Sequence, residues 1–194
     1  MSNVELIKSI SKIKFNEKLY RITWKFTWAL LASWTPKVFL NWRVFLLRLF
    51  GAKIGEKVLV FGSLRVDLPK KLTIGNYSAI GKNVWLYNFA DIYIGSNTVI
   101  SQSTTICTAS HDYLHPYMSL YAKPIKIGDS VWVTANCFIL PGINIADGAV
   151  IGACSVVTKS IESWSINAGN PCKFISKREL VEKDFQTKLQ KYYL

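Results

Sequence analysis

The chain is 194 residues long and 50% hydrophobic, and its 24 Lys and Arg against 12 Asp and Glu give a net charge of +12. That length suits one domain with short appendages, and the basic surplus calls for an anionic partner such as nucleic acid, acidic lipid or a phosphate-rich small molecule. Four cysteines, Cys107, Cys137, Cys154 and Cys172, form no CxxC pair and no metal-ligand spacing with histidine, which argues against a disulfide scaffold and a zinc module.

Residues 1–52 read as a helical segment rich in Trp, Phe, Leu, Lys and Arg. Ser2–Lys18 is polar and charged and carries no cleavage pattern, so a cytoplasmic protein with reduced cysteines is expected. Two helices are predicted, one from Tyr20 to Leu31 and one from Val38 to Phe50, with the break at Thr35-Pro36 because proline disfavours helix at the residue before it. Phe26–Trp34 is the most apolar stretch, flanked by Lys25 and Pro36 and too short to span a bilayer. Arg21, Lys25, Lys37, Arg43 and Arg48 alternate with Trp24, Trp28, Trp34, Trp42 and Phe45, a mixture suited to a membrane interface. Residues 20–50 are therefore expected either to touch the inner face of a membrane peripherally or to cap the domain that follows.

From Ile127 onward a six-residue period runs without a gap: IGDSVW, VTANCF, ILPGIN, IADGAV, IGACSV, VTKSIE. The same frame appears from Ile74, from Ile94 and, more loosely, from Ile54. Neither a helix nor a lone strand has this period. Short strands joined by tight corners do, with three hexads making one coil of a three-sided prism and each leading aliphatic residue pointing inward onto the next coil. Five coils follow, 54–71, 74–91, 94–111, 127–144 and 145–162, within a domain spanning 53–175. Gly55, Gly75, Gly81, Gly95, Gly128 and Gly152 recur just after the aliphatic residue, where a corner is expected to need tight or positive-φ geometry. Beyond Asn167-Ala-Gly-Asn-Pro171 the repeat is left, and a short basic helix is predicted within 176–194, with Leu180, Phe185, Leu189 and Tyr192 on one side.

The one long departure from phase is 112–126, directly after His111, and both histidines of the chain, His111 and His115, lie at this break. A loop extruded from a stiff scaffold is an economical place for a site. A neutral imidazole there could take a proton from a hydroxyl, which makes His111 a candidate general base.

The segments SHDYLHP, KPIKIGDSVWVTANCFILPGINIADGAVIGACSVVTKSI and AGNPCKFI resemble the hexapeptide-repeat sugar O-acetyltransferases, and most of all the colanic-acid-type enzymes of polysaccharide biosynthesis. The resemblance covers about 50–175 and implies an all-β fold, a left-handed parallel β-helix. It also implies an acetyl-CoA-dependent O-acetyltransferase that modifies a sugar or saccharide in surface polysaccharide biosynthesis, with His111 as the base. By the same resemblance Asn88 and Trp132 are expected at the acceptor side, while Ala135, Ala153, Thr158 and Lys173 are expected to receive acetyl-CoA; His115, from its place in the loop, is expected either to shape that loop or to meet the acceptor. A homotrimer is implied, with each active site between neighbouring prisms. A metal-dependent carbonic anhydrase of the same fold would want three histidines, and this chain has two, so no metal is expected. No nucleic-acid-binding motif is present. A non-catalytic structural β-helix is the alternative, one that has no need of a histidine-bearing loop.

Overall fold

The structure, a computed structural model, describes residues 15–180. Two α-helices, α1 (Phe15–Leu31) and α2 (Leu40–Leu49), are joined through Thr35-Pro36 and a single 3-10 turn at Lys37–Phe39. A parallel β-helix follows, made of strands mostly two or three residues long.

Its first wall stacks Lys53–Ile54, Leu72–Ile74, Ile92–Ile94, Ile125–Ile127 and Asn144–Ile145. The second wall carries Leu59–Val60, Ala79–Ile80, Val99–Ile100, Trp132–Val133, Val150–Ile151 and Ser165–Ala168. The third carries Arg65–Val66, Trp85–Tyr87, Thr105–Cys107, Phe138–Ile139 and Val156–Val157. All pairings between coils are parallel and in register, so Val60, Ile80, Ile100, Val133 and Ile151 form one inward column with essentially no exposure. The six-residue period is thus one wall per hexad. A sixth, partial coil continues past the five expected ones, because Ile161 bridges Ile145 and Ser165–Ala168 extends the second wall.

A second inward column, four residues after the first, holds Ser78, Thr98, Thr104 and Ser155 among apolar neighbours. These hydroxyls are satisfied by backbone carbonyls: Ser78 donates to Gly95 O at 2.7 Å and Thr98 to Gly128 O at 2.7 Å. Ser78 and Thr98 also accept amides, from Thr98 and Val131 respectively, so each links adjacent coils. Buried polar atoms in this core are therefore part of the stacking.

The corner glycines have a different reason from the one expected. Positive φ falls two residues later, at Tyr77 (59°), Asn83 (56°), Asn97 (54°) and Ser130 (57°), among others. The glycines themselves mark where one coil touches the next. A Cβ on Gly75 would lie 2.5 Å from Ser96 Oγ and 2.6 Å from Ser96 N, and one on Gly81 would lie 2.7 Å from Gln102 N. Close approach, not backbone handedness, fixes these positions.

The two helices close the N-terminal end. Within the solenoid, the carbonyl of an inward residue accepts an amide from the preceding coil, as Ile74 O does from Gly55 and Leu86 O from Asp67. The first coil has no predecessor. Its equivalent carbonyls are met by side chains instead, one per wall: Arg48 donates to Ile54 O at 2.8 Å, Arg43 to Val60 O at 3.1 Å, and Trp24 to Val66 O at 2.6 Å. Trp28 adds a bond to Gly62 O at 3.1 Å. Arg43 is 2% exposed and has carbonyls rather than a carboxylate around it, including those of Thr35 and Pro36. Burial lowers its pKa. An open sheet end invites pairing with other chains, and this one is blocked by donors from the cap.

At the other end, Lys173–Lys177 is a strand paired antiparallel to Ser165–Ala168, and Arg178 N donates to Trp164 O. No helix occurs between Ser176 and Leu180. The remainder of the helix expected within 176–194 lies outside the described residues. All four thiols are free; Cys137 is buried, whereas Cys154 stands exposed on a positive-φ corner and fills no core.

Candidate active site

The break after His111 is a β-hairpin. Ala109–His111 pairs antiparallel with Leu120–Ala122, placing His111 opposite Leu120, and the chain re-enters the first wall at Ile125. The hairpin tip is held by its own polar groups: Asp112 N donates to Ser119 O at 2.9 Å, and Leu114 N to Asp112 Oδ1 at 3.0 Å. His115 O accepts from Met118 N at 2.8 Å, while Met118 itself takes positive φ (45°).

That turn aims the Met118 carbonyl at His111. Nδ1 of His111 lies 2.6 Å from Met118 O. A carbonyl oxygen can only accept, so Nδ1 carries the proton, and in the neutral ring Nε2 is the unprotonated nitrogen. His111 is exposed on the hairpin. Met118 O is the orienting group that sequence reading missed. No residue type encodes it, and its only trace is the spacing of the hairpin.

His115 has the opposite arrangement. Its Nδ1 accepts from Tyr117 N at 3.2 Å and lies 3.3 Å from Ser119 Oγ, and its ring packs 5.2 Å from that of Tyr117. It ties the tip of the hairpin together.

Asn88 turns inward. It is wholly buried, its Oδ1 accepts from Leu68 N at 2.9 Å and its Nδ2 donates to Leu68 O at 2.7 Å. Each end of the amide makes one bond to the neighbouring coil, and the side chain points into the prism rather than out of it.

Trp132 is 48% exposed on the outer face of the second wall, where its Nε1 donates to Ser101 Oγ at 3.1 Å. His111 leaves from the corner after the third wall, so the two belong to different faces of one prism. Ala135 and Ala153 stack on the corner between the second and third walls, joined by the bond from Cys154 N to Ala135 O at 3.0 Å. Thr158 is exposed on the corner after the third wall, the one from which the hairpin leaves two coils earlier. Next to it, Lys159 and Lys173 line a hollow of about 500 Å³ at the end of the solenoid. Ala135, Ala153 and Thr158 thus occupy the two corners that bound the third wall, while Lys173 begins the strand that pairs with Ser165–Ala168 of the second wall.

The outer face of that third wall carries a polar and aromatic strip that the sequence reading did not single out. Trp85 Nε1 donates to Asp67 Oδ2 at 3.0 Å, and Arg65 lies over the Trp85 ring at 4.3 Å. Tyr87 pairs in register with Cys107 and packs 4.7 Å from Phe89, over which Arg21 lies at 4.4 Å. Burial, and then the nearby Asp67 carboxylate, raise the Tyr87 pKa; burial likewise raises that of Cys107. Thr108 N donates to Tyr87 O, so the strip is one coil from the strand that leads to His111. The available signal was that outward positions are aromatic in this coil: Trp85, Tyr87 and Phe89 alternate.

Comparison with known proteins agrees with this architecture. Residues 124–159 match the family described as bacterial transferase hexapeptide (six repeats). The putative colanic acid biosynthesis acetyltransferase WcaF of Escherichia coli (strain K12) is 43% identical over 161 residues, 83% of this chain and 87% of its own length. Galactoside O-acetyltransferase of the same organism is 32% identical over 136 residues, 69% of this chain and 66% of its own. Among solved structures, a maltose O-acetyltransferase from Clostridium difficile 630 superposes with a TM-score of 0.78 at 30% identity, covering 86% of this chain and 90% of that one. A galactoside acetyltransferase in complex with coenzyme A superposes with a TM-score of 0.80 at 25% identity, covering 91% and 92%.

Proposed function

We propose, from the premise that this chain belongs to the hexapeptide-repeat acetyltransferases, that it moves an acetyl group from acetyl-CoA to a hydroxyl of a saccharide in surface polysaccharide biosynthesis, with His111 as general base. The observation that carries the assignment of the base is the bond between His111 Nδ1 and Met118 O, which leaves Nε2 as the proton acceptor. The acceptor hydroxyl gives its proton to Nε2 while its oxygen bonds to the thioester carbonyl carbon. The tetrahedral oxyanion collapses, the C–S bond breaks, and the CoA sulfur leaves with the proton returned by the imidazolium. A neutral imidazole is suited to both transfers near neutral pH, and holding both substrates together removes much of the entropic barrier.

The other residues take parts consistent with their positions. Ala135 and Ala153 keep their corner narrow enough for a pantetheine arm to lie along it. Lys159 and Lys173 offer cations to the CoA phosphates near Thr158. Trp85, Tyr87 and Phe89, with Asp67 and Arg21, supply the stacking faces and hydrogen-bonding groups that a sugar uses. Trp132, on the second wall, can reach a base on the third wall only across a prism–prism contact, which supports a homotrimer with sites between subunits.

The test is the release of CoA thiol in the presence of nucleotide sugars and lipid-linked saccharides. His111→Ala is expected to lower kcat by about 10²–10⁴-fold, with KM for acetyl-CoA unchanged. Undiminished turnover in that variant sinks the assignment of His111 as base.

A further inference from the structure

Among the described residues, twelve of the twenty-five large apolar side chains that stand exposed lie between Phe15 and Leu49. On α1 they form a stripe, Phe15, Leu19, Ile22, Phe26 and Leu30, on the side away from Trp24 and Trp28. Spacings of three and four define one helix face. The helix is thus apolar on two sides, one covering the first coil and one that stands exposed among the described residues. α2 extends the surface: Trp42 and Phe45 stack with centroids 5.5 Å apart, and Leu49 is 65% exposed. Between the helices, Leu31, Trp34, Phe39 and Trp42 help wall an apolar hollow of about 400 Å³. Patches of this extent mark a surface that meets another phase or partner.

The polar groups of this surface identify the occupant. Trp34 Nε1 donates to Leu30 O at 2.7 Å and Trp42 Nε1 to Leu31 O at 2.8 Å. Neither indole would leave an unpaired N–H on entering an apolar medium. Glu17 is the only acid between Phe15 and Ala52, and it is paired with Arg21 at 3.0 Å. Lys18 and Lys25 are exposed immediately before Leu19 and Phe26, on the margin of the stripe, Lys25 with the Asp67 carboxylate 3.9 Å away. Apolar rings bordered by cations, on a chain of net charge +12, complement an anionic lipid surface. The patch also faces away from the first coil, at the end of the solenoid, so prisms that associate through their walls leave it open. No described helix is long and apolar enough to cross a membrane, so the contact is interfacial.

We propose that the outer face of the two-helix cap lies in the headgroup region of an anionic bilayer and holds the protein peripherally on it. This goes beyond the acetyl-transfer reading and does not depend on it. The test is flotation of the full chain with vesicles of phosphatidylglycerol and phosphatidylethanolamine, beside vesicles of phosphatidylcholine alone. The full chain is expected to float with the former and not the latter. Phe26→Glu/Phe45→Glu is expected to lower the bound fraction at least tenfold, with the thermal midpoint unchanged; if that variant fails to fold, Leu19→Ser/Leu30→Ser replaces it. The proposal is overturned if the full chain stays unbound, or if a folded variant floats equally well. It is also overturned if sedimentation without lipid shows copies associating through this face in a way the variant abolishes.

Discussion

His111 and Asn88 both stand where a coil ends, and their surroundings put them to different uses. At His111 one carbonyl fixes the tautomer and the other ring nitrogen is left basic. At Asn88 two backbone groups of Leu68 bond the two ends of the amide, and the residue is sealed from solvent. Asn88→Ala is therefore expected to destabilise the protein by about 2–3 kcal/mol, since a buried amide and a buried carbonyl lose their partner, while KM for the acceptor stays the same. Urea unfolding together with steady-state kinetics checks both parts; a raised acceptor KM with unchanged stability would place Asn88 on the substrate side. His111 was legible in the sequence because it interrupts a period. The burial of Asn88 was not, because asparagine is common at corners whether it points in or out.

At the scale of the coil, period and register carry most of the information, and the sequence displays both. Inward columns at the first and fifth position of each hexad, the three walls and the extruded segment can all be counted from Ile127 backward and forward. The reason for the glycines could not be counted. Glycine after the aliphatic residue suits a positive-φ corner and a close contact equally well in a string of letters, and only the stacking distances separate them. Gly75→Ala is accordingly expected to cost about 1–3 kcal/mol, the range for overpacking, because its Cβ would press on Ser96 in the next coil. The measurement is the shift in thermal midpoint, and a neutral result would mean that the coils slide apart easily. The hairpin was also only half readable. Its position was evident from lost phase, but the pairing of His111 with Leu120 and the turn that presents Met118 O depend on backbone geometry.

Across the buried thiols and phenols of the molecule, burial acts on titration in one direction. The thiols of Cys107, Cys137 and Cys172 and the phenols of Tyr20 and Tyr87 all have pKa values raised, chiefly by desolvation. In the unfolded chain a thiol ionises near its ordinary 9.0, whereas the folded protein holds the proton to higher pH. Stability is therefore fully present below about pH 9 and is lost as pH rises through the raised folded values. The urea midpoint should fall between pH 8 and pH 10.5, and less steeply in Cys137→Ala; a midpoint that rises with pH would contradict the burial of these groups.

The whole-molecule view also separates the two functions that the aromatic and basic N-terminal segment mixes in its sequence. Trp24, Trp28, Arg43 and Arg48 turn toward the first coil, while Trp34, Trp42 and Phe45 turn away. The three side-chain donors that meet Ile54 O, Val60 O and Val66 O precede those carbonyls in the chain. During synthesis, the helices that carry them leave the ribosome before the first coil exists. We expect the solenoid to assemble from this end and in the direction of translation, because the cap supplies the donors of the first coil and each later coil pairs with the one before it.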